Sequence, residues 1–411
     1  MQMGRGYTKL LIYILMCWVL VIIFLQLTFT SRYVHFHRTH RPITRVGALT
    51  WNETSSRKKI ILIWNNKEMG EYAINNDVFS ACPGTAQRCL ITNDHRHFPE
   101  SDVVVFNAKR LGNLREREES GFPRYHQPNQ RWIFYTRESP CNMPSLPDST
   151  WGGLENQFNW TMSHRLDSDI PFTYGKIVER NTPLEKDFVS VAKTKSKLVV
   201  WMVSNCDTHS RREQFVMELQ KYIKVDIIGA CGNDICAKEN MEYCNSLVNR
   251  EYKFYLAFEN SFSKDYVTEK FYKTVEWDVV AVTRGGADYS HLGIKPNWHI
   301  DALKFRSPKY LAHYLLWLDR NPKAYAKLLE WKNKYTLYQG QEWCSMCDKV
   351  QNTLTAPRKA YSKERLTRWF YSPGCETPHD VPIYTEWRFP YDKSFAFPLQ
   401  HHHRLYNTAV L

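Results

Sequence analysis

The sequence predicts an α/β protein: two Rossmann-like domains facing one another across a cleft, preceded by a single transmembrane signal anchor. Three observations predict it. The 411 residues exceed what one typical core holds, so two domains of ordinary size are expected. From residue 58 onward, short apolar runs bounded by turn-rich stretches alternate with segments of helical periodicity, the order of doubly wound parallel sheets. Ahead of them, residues 10–29 carry no charge and are broken only by Gln26 and Thr28, a length that crosses a bilayer. The composition, 43% hydrophobic and 24% charged without internal repeats, is that of a globular protein and argues against a solenoid.

Taken in order, residues 1–9, with Arg5 and Lys9, form a cytosolic tail, and residues 10–29 the anchor. A secretory signal peptide would have a shorter apolar region followed by small residues; here bulky Leu25, Leu27 and Phe29 lead into Arg32. Residues 30–57 are basic, His-rich and without sustained periodicity, and read as a stem. Because Arg32, Arg38, Arg41 and Arg45 follow the anchor, a positive-inside count by itself votes for a cytosolic stem. Two features overrule that count. The sequons at Asn52 and Asn159 are glycosylation acceptors only in a lumen, and ten of the eleven cysteines lie after the anchor, as in an oxidising compartment. The net charge of +13 would suit nucleic acid, but no such motif is visible and a lumenal chain does not meet DNA. The charge fits instead a generally basic, solvated surface, an anionic substrate and a membrane.

The first domain, 58–180, carries KIILIW at 59–64, DVVVFNA at 102–108 and RWIFYT at 131–136, strands of a covered parallel sheet. A polar linker, 181–197, contains Asn181-Thr182-Pro183. In the second domain, 198–347, strands at 198–205, 224–229, 252–259 and 278–284 alternate with helical patterns over 210–222 and from about 267. Residues 308–335 are strongly helical, with Tyr310, Tyr314, Leu315 and Leu318 at helical spacing and Pro322 as a break. Residues 348–411 form a carboxyl tail.

The chemistry concentrates at residues 253–270, KFYLAFENSFSKDYVTEK. An apolar strand ends in a polar turn and a helix start carrying Glu269 and Lys270, with Val267, Phe271 and Val275 on one buried face. Free N–H groups at such a start favour a phosphate, and Lys270 adds a full charge. The plain structural alternative is a strand–turn–helix unit with a solvated Glu-Lys pair.

FYLAFENS followed by YVTEK resembles the donor-binding signature of the α1,3/4-fucosyltransferases, glycosyltransferase family 10, which move fucose from GDP-fucose to a sugar hydroxyl. Further blocks similar to that family follow the same order: FYTRESP at 134–140, FNWTMSHRLDSDIPFTYG at 158–175, and VSNC with SRRE within 203–213. The resemblance covers roughly residues 58–345 and looks closest to invertebrate or plant core-type members. It implies the GT-B architecture, a Golgi type II membrane protein, and inverting transfer of L-fucose to an N-acetylglucosamine hydroxyl of an N-glycan core or a lactosamine antenna. It implies Glu138 as the general base, where the residues alone favour pairing with Arg137 or capping of the turn before Pro140. Lys270 and Arg212 would stabilise the departing diphosphate, Arg211 being the neighbour most easily confused with Arg212. Glu269 would bind fucose, and Asn260 and Tyr266 the nucleotide or its phosphates, although an aromatic at a helix start also packs.

By the same resemblance Cys206 pairs with Cys244, while Cys344, Cys347 and Cys375 tie the carboxyl end to Cys82, Cys89 or Cys141. Cys344 and Cys347 form a CxxC with no second pair at metal-site spacing, which argues against zinc. Asp167-Ser168-Asp169 has the spacing of a metal-holding pair, but lies away from the nucleotide signature. No cofactor or dedicated metal site is therefore expected, a divalent cation at most stimulating, and the His401-His402-His403 run reads as a solvated tail. Acceptor recognition is expected from the loops 109–130 and 141–157. Two other functions stay open: a metal-dependent transferase of another nucleotide sugar, and a catalytically silent lumenal glycan-binding protein.

Overall fold

The structure, a computed structural model, describes residues 57–381 apart from 76, 81, 83–87, 114–122, 124, 144–154, 234–235, 237–239, 339–340, 354–356 and 373, and apart from the side chains of 341, 342 and 353. The segment 10–29, the stem to residue 56, Asn52 and the histidine run 401–403 lie outside the described residues. Among the described residues no helix is long and apolar enough to cross a membrane.

The first sheet contains β1 (Lys59–Ile63), β2 (Cys89–Thr92), β3 (Val103–Asn107), β4 (Arg131–Thr136), β5 (Trp160–Ser163) and β6 (Ile170–Pro171), with α1 (Lys67–Asn75) after β1. Its order is β2-β1-β3-β4-β5-β6, parallel throughout. β4 is buried at every position, as an apolar run covered on both faces must be. An antiparallel pair, β7 (Lys176–Glu179) with a strand at Tyr335–Tyr338, follows this sheet. The linker is not irregular throughout: α2 (Phe188–Thr194) forms there, because the Asp187 carboxylate accepts from the Val189 and Ser190 N–H groups while Phe188 and Ala192 are buried.

The second sheet contains β8 (Lys197–Met202), β9 (Val225–Ile228), β10 (Tyr252–Phe258), β11 (Val280–Arg284) and β12 (Ile300–Asp301), in the order β12-β11-β10-β8-β9 and again parallel. Side chains alternate between its two faces. Val199, Trp201, Phe254, Leu256, Val280 and Val282 pack toward α2, α3 (Arg212–Gln220), α6 (Pro308–Arg320) and α7 (Pro322–Lys327). Val200, Tyr255, Ala257 and Ala281 pack toward α4 (Met241–Glu251) and α5 (Glu269–Tyr272). The helix expected from about 267 is shorter than its periodicity suggested. Val267, Phe271 and Val275 are buried, but one α-turn from Glu269 passes into a 3-10 turn, Lys273–Val275. On α6 the aliphatic stripe Leu311, Ala312, Leu315 and Leu318 is buried, whereas Tyr310 is 54% exposed. Two stripes have helical spacing there, and the one without phenols faces the core.

The carboxyl end departs from the expected boundary at 347. α8 (Gln341–Thr353) runs through it and sets Trp343, Met346 and Val350 among Ile61, Val103 and Ile133 of the first sheet. α9 (Lys363–Tyr371) adds Leu366 and Phe370 to Phe106, Phe134 and Phe158 on the other face. The disulfides Cys82–Cys344, Cys89–Cys347 and Cys141–Cys375 tie this returning chain to the first domain.

Two expectations need correction. Cys206 pairs with Cys231, not with Cys244, which pairs with Cys236. β8 and β9 are neighbours, and the Cys231 N–H donates to Val203 O, so the chains leaving the two strands meet. Asn159 is not a glycan acceptor in this fold. It is 3% exposed, its Oδ1 accepts from the Trp132 N–H at 2.8 Å and its Nδ2 donates to Lys359 O at 2.9 Å, so a glycan would displace both bonds.

Candidate active site

The carboxyl ends of β4, β8 and β10 converge on a cleft of about 320 Å³. Ligands of open parallel sheets bind at such ends. Glu138, Arg212, Asn260, Tyr266, Glu269 and Lys270 all line it; Arg211 is not among the lining residues. Tyr174, Asn205, Gly229, Tyr255 and Lys273 complete much of the wall. Gly229 is required there. Its φ is +103° and an added Cβ would lie 2.6 Å from Val203 O, so no side chain can stand between the ends of β8 and β9.

Glu138 comes from the first domain, two residues beyond β4. The pairing with Arg137 does not form: that guanidinium lies 3.9 Å over the Tyr174 ring, and the Tyr174 hydroxyl donates to Arg137 O at 2.9 Å. Nor does Glu138 cap the turn before Pro140, which Ser139 precedes without a side-chain cap. The Glu138 carboxylate is 30% exposed and stands 3.9 Å from Lys109 Nζ. The neighbouring Ser139 and Ser261 hydroxyls bond at 2.5 Å, joining the end of β4 to the turn after β10.

The second domain supplies the cations. Lys270 Nζ contacts Thr268 Oγ1 at 2.7 Å, Glu259 at 3.1 Å and Glu269 at 3.3 Å. Burial opposes its charge, but the carboxylates of Glu259 and Glu269 outweigh burial and raise its pKa above the ordinary value. Glu269 remains half-exposed; burial pushes its carboxyl up, yet Lys270 beside it holds the net value below the usual range. Because α5 is one turn long, the positive character comes from Lys270 and Lys273 rather than from a helix dipole. Arg212, the first residue of α3, is 3% exposed. It donates to Phe258 O at 2.8 Å and Asn205 O at 3.0 Å, and so braces the end of β10 and the chain leaving β8 within the cleft wall. Tyr266 is 2% exposed, edge-on to the His164 ring at 4.9 Å, and burial raises its phenol well above the ordinary value, so it stays neutral. Asn260 accepts the Ser210 N–H through its carbonyl.

Glu259 is the residue that the sequence reading missed. It is fully buried, accepts from the Thr268 N–H at 2.8 Å and hydroxyl at 2.9 Å, and anchors Lys270. The signal was present: a carboxylate closing an apolar strand must find a partner inside. Asp167 and Asp169 do not converge on a shared ion. Asp167 pairs with Arg165 and Lys264, whereas Asp169 accepts from Thr161 and Tyr361. Among the described residues no group of three or more His, Cys, Asp or Glu side chains is placed to hold a metal.

The family model described as "Fucosyltransferase, N-terminal" matches residues 56–175, and that described as "Glycosyltransferase family 10 (fucosyltransferase) C-term" matches residues 192–369. The protein is thus a glycosyltransferase, with both halves of the cleft inside the matched regions. More narrowly, the chain belongs to glycosyltransferase family 10, the fucosyltransferases, and the match runs past residue 345 into α9. It is similar to alpha-(1,3)-fucosyltransferase C of Drosophila melanogaster, 28% identical over 83% of this chain and 80% of that one. The glycoprotein 3-alpha-L-fucosyltransferase A of the same organism is 30% identical over 79% of this chain and 63% of its own length. A 3-galactosyl-N-acetylglucosaminide 4-alpha-L-fucosyltransferase of Bos taurus is 32% identical over 66% of this chain and 71% of its own. A crystal structure of an alpha1,3-fucosyltransferase with GDP-fucose aligns at 17% identity and a TM-score of 0.48, over 77% of this chain and 96% of that one.

Proposed function

We propose that the protein is an inverting α1,3-fucosyltransferase of GT-B type, transferring L-fucose from GDP-fucose to an N-acetylglucosamine hydroxyl of a glycoprotein glycan. One observation carries the reading: a carboxylate from the first sheet, Glu138, faces a cluster of cations from the second across one cleft. Inversion requires a base on the face of the sugar opposite the leaving group, and two sheets meeting at their carboxyl ends supply opposite faces. Glu138 takes the acceptor hydroxyl proton as that oxygen attacks the anomeric carbon. The bond to the diphosphate breaks on the other side, and Lys270 and Lys273 meet the growing phosphate charge. Arg212, with its donors on Phe258 O and Asn205 O, holds the strand ends that shape the phosphate site. Glu269 accepts from fucose hydroxyls, and its negative charge favours an oxocarbenium-like centre. Asn260 and Tyr266 complete the nucleotide side.

The same reading places the protein in the Golgi membrane through residues 10–29, with its catalytic part lumenal. The relatives include both 3-linked and 4-linked activities by name. The acceptor follows from transfer by the full chain, with excess chelator, to a core N-glycan glycopeptide beside N-acetyllactosamine. Product on one assigns the acceptor class; activity that vanishes with chelator overturns the metal-independent reading. Glu138→Gln should bind GDP as before while transfer falls about 10²–10⁴-fold, the range for loss of a general base. An active Glu138→Gln enzyme would remove the base assignment.

A further inference from the structure

A cluster on the chain that leaves β5, the neighbour of the strand that carries Glu138, has no part in the transfer step. β4 and β5 are parallel, with Thr136 level with Ser163. Their chains therefore leave the sheet side by side, about 4.8 Å apart at the strands, with Glu138 two residues along one and Arg165 two residues along the other. Arg165 is 4% exposed. Its guanidinium forks onto Asp167 at 2.9 and 2.7 Å, donates to Trp369 O, and lies 5.1 Å over the Trp369 ring. Asp167 also accepts from Lys264 Nζ at 3.1 Å and from the Trp369 indole N–H at 3.2 Å.

The indole is thus backed by a buried cation and fixed at its polar edge. It also lines a cavity of about 430 Å³ with Ser362, Glu364, Arg365 and Arg368. Among the described residues, the Glu364 and Arg368 side chains have no partner. A rigid indole with an uncommitted acceptor and donor, Glu364 and Arg368, at its rim is suited to a pyranose, whose C–H face packs on the ring while its hydroxyls bond at the rim.

We propose that Trp369, held by Arg165 and Asp167, is a subsite for the sugar residue next to the one that receives fucose. This inference rests on the transfer reaction proposed above. It moves part of acceptor recognition from the loops 109–130 and 141–157 to α9, a helix of the returning carboxyl segment.

The test uses the full chain in detergent with Trp369→Ala and Trp369→Phe, and two acceptors: N-acetylglucosamine at high concentration and a core N-glycan glycopeptide. Trp369→Ala should raise KM for the glycopeptide about tenfold, the effect of truncating one aromatic anchor. Trp369→Phe should restore most of it. KM for GDP-fucose and kcat/KM for the monosaccharide should stay at wild-type values, which a merely folding-related defect would not allow. Equal loss on both acceptors, or none on either, overturns the subsite. Saturation-transfer NMR of the glycopeptide with protein and GDP reads binding without turnover. A signal lost in Trp369→Ala supports the subsite even if the wild type transfers nothing from GDP-fucose, in which case only the reaction is wrong. No glycopeptide signal with wild type, or one unchanged in the variant, overturns it.

Discussion

Lys270 serves two ends, and its partners allow them to be separated. It offers a charge to the cleft and neutralises Glu259, which is fully buried. Lys270→Ala would leave that carboxylate without its cation, a change that typically costs about 3–5 kcal/mol unless the acid takes up a proton. The double variant Lys270→Ala with Glu259→Gln should therefore melt above the single one while transferring no faster. Thermal melts and fucosyl transfer on the three proteins test this. Recovery of transfer in the double variant would mean that Lys270 acts only through folding. Arg212 is different in kind, since two of its five N–H donors hold Phe258 O and Asn205 O and their loss would disturb strand ends first.

Among the elements, those that announce themselves locally were legible in the sequence. β4, β8, β10 and β11 appear as apolar runs because both of their faces are covered. Their carboxyl ends, where the runs stop at Glu138 and Asn260, mark the candidate site. What could not be read depends on contacts distant in sequence. Nothing local says that α8 crosses residue 347 to lie on the first sheet, or that Cys206 meets Cys231 rather than Cys244, because each follows from which strands become neighbours. The sequon at Asn159 misled for the same reason: its amide is engaged by Trp132 and by Lys359, 200 residues further on. Peptides of the expressed protein cut with trypsin together with a protease that cleaves before Asp234, which separates Cys231 from Cys236, and mapped without reduction, should join Cys206 with Cys231 and Cys236 with Cys244 and carry unmodified Asn159. A Cys206–Cys244 peptide or a glycan on Asn159 would contradict these assignments.

At the scale of the whole molecule, buried histidines make the fold sensitive to acid. His164 is wholly buried, and burial chiefly holds its pKa down to about 3; His299, bonded through Nδ1 to the Thr283 hydroxyl, is held to about 4 by burial. Both ordinarily titrate near 6.5. The unfolded chain therefore takes up protons that the native chain refuses below that value, so stability is full above it and falls as pH drops toward the folded values. One unit below, each histidine removes about 1.4 kcal/mol. Thermal melting at pH 5.5 should thus lie several degrees below that at pH 7.5, about 4 °C for a chain of this size. His164→Gln should flatten the slope if it folds, and an unchanged slope in a folded His164→Gln variant would remove that residue from the account. The two sheets are joined across the cleft by the Ser139–Ser261 bond and the Lys264–Asp167 pair, and by residues 375–380, which run from the disulfide with Cys141 to a bidentate pair between the buried Arg284 and the half-buried Asp380.

Those carboxyl-terminal ties also set an order of events during synthesis. Cys82, Cys89 and Cys141 have partners 262, 258 and 234 residues later. At about 5–20 residues per second, their thiols emerge roughly 12–50 s before the cysteines they must find. Throughout that interval Cys206, Cys231, Cys236 and Cys244 appear first and offer wrong partners. The early thiols must therefore stay reduced or be reshuffled, so that the yield of native enzyme in a cell depends on its thiol–disulfide exchange machinery as much as on the chain itself.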